Sequence, residues 1–132
     1  MNQPSNPVRD PADWPRAFTT CLEKGKLEEI LALYEPEAQM LAPPRGELVE
    51  GHANIRAVVD GLIRSRARME SHVSRCVTTG DLAVLYTDFD GTAPDASGEM
   101  RKIRQRAIEV LRRQPDGTWK LVFGDPMARG GG

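Results

Sequence analysis

After residue 68 the hydrophobic period of the chain changes, and that change constrains the fold more than any other feature. Before it, apolar residues recur at helical spacing. Trp14, Ala17, Phe18, Cys21 and Leu22 follow the i, i+3, i+4, i+7, i+8 pattern of one buried face. Ile55, Val58, Val59, Leu62 and Ile63 form a second such stripe. From "RMESHVSRCVTTGD" onward the pattern alternates residue by residue, as in strands. Helices at the front and antiparallel strands at the back call for helices laid over one face of one sheet.

The stretch "DPADWPRAFTTCLEKG" reads as the first helix, capped by Asp10 or Asp13 and stopped at Gly25. "KLEEILALYE" reads as a second helix with Leu27, Ile30, Leu31 and Tyr34 inward, ended by Pro36. A short strand "AQMLA", a loop "PPRGELVEG" and a third helix "ANIRAVVDGLIRSR" follow, the last with Asp60 and Arg64 spaced as a solvent-side pair. "RMESHVSRCVTTGD", "LAVLYTDFDG", "EMRKIRQRAIEVLRRQ" and "TWKLVFGD" are four long strands, the last two joined by a "QPDG" turn. The expected architecture is α+β: a curved antiparallel sheet of four long strands plus a short strand, wrapped over three N-terminal helices as a cone. The break at residues 43–51 falls where it leaves the cone open, as the mouth of a pocket. Residues 1–9 are expected to be a flexible arm, 10–126 a single domain, and 127–132 a flexible tail.

The chain has 132 residues, enough for one domain, and its 39% hydrophobic residues make a packed core feasible. A formal net charge of −1 argues against nucleic acid or an anionic membrane as partner. The basic runs "RSRAR" and "RKIRQR" lack interleaved aromatics and read as a solvated helix end and a strand ladder. No apolar run approaches the roughly 18 residues of a membrane span. The proline-rich N-terminus lacks the order of a signal peptide, so the cytoplasm is expected. Cys21 and Cys76 share no metal-ligand spacing with each other or with His52 and His72, so they read as small core hydrophobes rather than a disulfide or metal site. No cofactor is expected.

The segment "FTTCLEKGKLEEILALYEPEAQMLAPP…VEGHANIRAVVDGL" and the ending "VLRRQPDGTWKLVFGDP" resemble the SnoaL-like, or nuclear-transport-factor-2-like, superfamily. The resemblance covers about residues 13–126 and is nearest to a bacterial branch with no agreed activity. It implies the cone fold and leaves the function open, because the fold hosts isomerases, cyclases, dehydratases, epoxide hydrolases and assembly domains. Carried over from ketosteroid isomerase, the catalytic base falls on Ala42 before Pro43, and the oxyanion tyrosine falls on Phe18. The protonated aspartate falls near residues 107–109, where Glu109 is the one residue able to replace it. With two of the three groups missing, the resemblance implies no steroid isomerisation by that mechanism. The Asp-Arg-Asp set of limonene-epoxide-hydrolase-like members has no matching Arg-x-Asp triplet here.

Among polar groups the most informative are in adjacent strands. Val84, Tyr86, Asp88 and Asp90 share one face; Lys102, Arg104, Arg106, Ile108 and Val110 share one face of the next strand. An even-to-even register sets Asp88 and Asp90 opposite Lys102 or Arg104, with Tyr86 near Arg106. Facing inward, these residues would bind or deprotonate a small acidic ligand, with Asp88, Tyr86 and Arg106 as catalytic candidates. Facing outward, they would be an ion-pair ladder or a dimer seam, and a slip of one residue exchanges the two. The inward reading gives a ligand site of Trp14, Phe18, Met40, Ile55, Val59 and Tyr86, with polar atoms from Asp88, Arg104 and Arg106. The ligand would be small and hydrophobic or acidic. The alternative is a non-catalytic dimerisation module. Since "LAVLYTDF" is apolar on both faces and the helices cover one, a homodimer is expected either way.

Overall fold

A computed structural model describes residues 7–43 and 45–128 of the chain. A turn of 3-10 helix at Pro11–Asp13 leads into α1 (Trp14–Lys24), and Asp10 caps it by accepting a hydrogen bond from the Ala12 amide at 3.0 Å. Gly25 ends α1 with φ of 68°, the left-handed conformation that a side chain disfavours. Next come α2 (Leu27–Leu31), β1 (Tyr34–Ala42), β2 (Glu47–Glu50) and α3 (His52–Arg64). The remaining strands are β3 (Arg68–Thr79), β4 (Leu82–Pro94), β5 (Met100–Arg113) and β6 (Trp119–Asp125). All six described strands form one sheet in the order β2-β1-β6-β5-β4-β3. The helices lie on its inner face.

The α+β cone is the expected architecture, with local differences that have physical causes. The second helix stops at Leu31, and Tyr34 already belongs to a strand. Tertiary hydrogen bonds end it: the Leu33 carbonyl accepts from the Leu121 amide at 2.8 Å and from the Trp14 indole at 2.9 Å. The expected short strand is therefore nine residues long. It pairs parallel with β6, and the ladder shifts register between Tyr34 and Gln39, around the missing N–H of Pro36. The expected loop at 43–51 contains β2, which folds back antiparallel on β1 with Met40 opposite Val49. Six strands thus replace four plus one, and one pairing is parallel.

α1 buries the predicted Trp14, Phe18, Cys21 and Leu22, and α3 buries Ile55 and Val59. The expected Asp60–Arg64 pair is present at 2.8 Å. Cys21 is buried, but Cys76 is exposed, because the helices do not reach that end of β3; both are free thiols. Val8 is buried and its carbonyl accepts from the Trp119 amide, so the expected N-terminal arm is docked at its inner end. Its residues 1–6, and residues 129–132 of the expected tail, lie outside the described residues. Gly91 marks a close crossing of β4 over β3: a Cβ there would lie 1.9 Å from the Arg68 carbonyl oxygen. No described helix is long and apolar enough to cross a membrane.

Candidate functional site

The inner sheet face is apolar at nearly every position: Ala83, Leu85 and Phe89 on β4, Ala107 and Leu111 on β5. Polar residues interrupt it at Gln105, half-buried opposite Phe89, and at two more deeply buried positions. Thr87 is fully buried, and Glu109 is 4% exposed on the neighbouring strand. The Thr87 hydroxyl donates to Oε1 of Glu109 at 2.7 Å. Burial pushes the Glu109 carboxyl up to about 7 from 4.5, against the opposing pull of the Thr87 hydrogen bond.

Glu109 stands in the wall of a cavity of about 110 Å³, bounded also by Trp14, Phe18, Tyr34, Met40 and Phe89. Prolines also line it: Pro43 from the interrupted stretch, Pro94 and Pro126. Trp14 organises one wall. Its ring stacks on Phe18 at 5.7 Å and meets Tyr34 edge-on at 5.5 Å, while its indole N–H is fixed by the Leu33 carbonyl.

Glu109 Oε2 and the Tyr34 hydroxyl make no hydrogen bond among the described residues. Both residues line the cavity, and no described side-chain oxygen that is sealed from solvent lacks a partner. Burial, followed by the nearby Glu109 charge, raises the Tyr34 phenol well above its ordinary value. The cavity therefore offers a mainly apolar box whose wall carries the Tyr34 phenol and the Glu109 carboxyl, half protonated near pH 7, together with Gln105 and Asp125. The phenol and the protonated carboxyl donate to an oxygen acceptor, and their hydrogen bonds strengthen as negative charge develops on that oxygen.

Of the residues expected at the site, Trp14, Phe18 and Met40 line the cavity. Ile55 and Val59 are fully buried in the core behind it, and Leu62 is the α3 residue on the wall. Tyr86, Asp88, Arg104 and Arg106 are brought together on the outer face, away from the cavity. The register pairs even with even as expected, but Asp88 faces Arg106 and Asp90 faces Arg104, each pair 3.1 Å apart. The inward reading of Asp88, Tyr86 and Arg106 is thereby corrected: the odd residues of β4 and β5 are the ones the helices cover, so the charged even residues turn to solvent. His72 lies opposite Asp88 on the same outer face. His52 Nε2 is 3.0 Å from the Tyr34 carbonyl, a structural bond at the start of α3. Among the described residues no cluster of three His, Cys, Asp or Glu can hold a metal ion. Glu109, Tyr34 and Thr87 were not among the expected site residues, although the resemblance set Glu109 near the family's protonated aspartate. The signal for Thr87 and Glu109 was present, since each is polar on an otherwise apolar alternating face.

A family model described as SnoaL-like domain matches residues 16–122. The chain belongs to the SnoaL-like domain family. No curated protein matches it. Solved structures share the fold of this SnoaL-like domain at low identity. One is a ketosteroid isomerase-like protein from Erwinia carotovora atroseptica, 17% identical over 95% of each chain with a TM-score of 0.72. Another is a candidate dehydratase from the NTF2-like family of Streptomyces avermitilis, 18% identical over 93% of this chain and 96% of that one, TM-score 0.72. A third is a candidate calcium/calmodulin-dependent protein kinase type II association domain from Thiobacillus denitrificans, 19% identical over 91% and 97%, TM-score 0.71.

Proposed function

We propose that this SnoaL-like domain binds a small, mainly apolar molecule carrying one oxygen acceptor, a ketone or a ring oxygen, inside the cone. The observation that carries the reading is Glu109, a carboxyl in an apolar cavity wall whose affinity for its proton is raised to about 7. A charged group there is costly; a protonated one is a hydrogen-bond donor in the cavity wall. The volume fits about one ring, since an apolar cavity of about 150 Å³ holds benzene. Polarisation of a bound carbonyl by Glu109 and Tyr34 is the chemistry such a pair supplies. A cytoplasmic setting is part of the proposal, as Cys21 and Cys76 are both free thiols.

A second reading, binding or assembly without catalysis, is favoured by Ala42. The position where the resemblance looks for a base carries a methyl group. Ligand-observed NMR with cyclohexanone and methylcyclohexane tests the main reading. The ketone should bind about tenfold better at pH 6, the worth of one hydrogen bond, and Glu109→Leu should abolish that preference. Equal affinity of the two probes for the wild type would refute it.

A further inference from the structure

Recognition of a single oxygen by Glu109 leaves one polar side chain of the cavity wall unused. Gln105 lies four residues before Glu109 on β5, and only Ala107 stands between them on that inner face. Gln105 is half-buried and lines the same cavity. Its amide makes no hydrogen bond among the described residues. The wall around it offers little in return. Phe89 stands opposite it on β4, and Ile103 precedes it on the same strand face. The Trp14 indole is bonded to the Leu33 carbonyl, and Oδ1 of Asp125 accepts from the Met127 amide at 3.1 Å. β6 pairs with β5 only as far as Asp125 opposite Ile108, so it reaches no partner position beside Gln105. An amide half withdrawn from water and unmatched by protein gains when a ligand supplies the missing partner. Its N–H groups donate and its carbonyl accepts, so a hydroxyl or a carbonyl would serve.

The spacing limits what such a ligand can be. Four residues of strand set the Cα atoms of Gln105 and Glu109 roughly 13 Å apart. The two side chains are of equal length and enter the concave side of the sheet, which draws their tips together. A hydrogen bond of about 2.8 Å at each end takes up nearly half of the span. What remains suits two oxygens on opposite carbons of a six-membered ring and is too long for oxygens on adjacent carbons.

We propose that Gln105 is a specificity-determining residue, and that the cavity takes a six-membered ring with an oxygen function at the Glu109 end and a hydroxyl or carbonyl on the opposite carbon, at Gln105. The inference rests on the binding of one oxygen by Glu109 and adds a second contact to it. Ligand-observed NMR at pH 6 with cyclohexanone, 4-hydroxycyclohexanone and 2-hydroxycyclohexanone tests it. The wild type should bind the 4-hydroxy ketone about tenfold more tightly than cyclohexanone, the worth of one more hydrogen bond. The 2-hydroxy ketone should bind no better than cyclohexanone. Gln105→Leu should remove the gain from the 4-hydroxyl and keep the preference for cyclohexanone over methylcyclohexane. Near-ultraviolet circular dichroism establishes that the variant is folded; should it unfold, Gln105→Met, nearly the same length, takes its place. Equal binding of cyclohexanone and the 4-hydroxy ketone by the wild type overturns the inference, and an intact preference for ketone over hydrocarbon then leaves the role of Glu109 standing. A wild type without that preference overturns both. A 4-hydroxyl gain that survives loss of the Gln105 amide, or an equal gain from the 2-hydroxyl, also overturns the role of Gln105.

Discussion

Replacing Glu109 by glutamine should remove the pH dependence of stability that the cavity imposes. Burial raises this carboxyl from 4.5 to about 7. Between those values the folded chain keeps a proton that the unfolded chain releases. Below about pH 4.5 the group is protonated in both states, and its contribution to stability is fully present. As pH rises from there to about 7, stability falls by about 1.4 kcal/mol per unit, and it levels off after a loss of about 3 kcal/mol. That is a large share of the roughly 5–15 kcal/mol that holds a typical domain folded. Glutamine keeps the shape and still accepts from the Thr87 hydroxyl, but it does not titrate. Urea unfolding of both proteins, followed by tryptophan fluorescence in half-unit steps from about pH 4.5 to 8, measures the difference directly. The variant should gain on the wild type as pH rises and then plateau. A flat difference would show that Glu109 titrates as in the unfolded chain, and the reading of it as a neutral donor would fail.

Thr87→Val removes the hydroxyl whose bond lowers the Glu109 value. The midpoint of the same pH profile should therefore move to higher pH, and a midpoint that moves down would contradict the geometry. Gly91→Ala places a methyl group 1.9 Å from the Arg68 carbonyl oxygen, with backbone on both sides of the contact. It should cost at least about 2 kcal/mol, read as a lowered urea midpoint; a neutral effect would mean that β3 and β4 are farther apart there than described.

The helical stripes and the alternating strands were legible because burial leaves a period in the residue order. Trp14, Phe18, Ile55 and Val59 needed only that period to be placed inward. What the period cannot carry is which face of β4 and β5 the helices take. Both faces of β4 hold apolar residues, so Asp88 and Arg106 were assignable to either side until the helices were in place. β2 was hidden for a different reason. Its four residues follow a turn rich in proline and glycine, and its pairing with β1 is a tertiary event with little local signature. Tyr34 looked helical because Leu27, Ile30, Leu31 and Tyr34 keep helical spacing. The carbonyl of Leu33, claimed by Leu121 and Trp14, overrode it. Glu109 stood out only through the resemblance, although a lone carboxyl between Ala107 and Leu111 on one strand face is a physical signal in its own right.

The alternation along β5 also bears on how such a protein can change over time. Adjacent residues on this strand answer to different surroundings: Ala107, Glu109 and Leu111 to the interior, Ile108 and Val110 to the exterior. A substitution at an odd position can rewrite the interior chemistry without touching the outer surface, and an even one can alter the surface while the cavity keeps its lining. Inserting or deleting one residue would be of another order, since it would swing Glu109 into water and turn its neighbours into the wall. Point changes are thus the accessible route to a new ligand, and changes of length within the strand are closed to it.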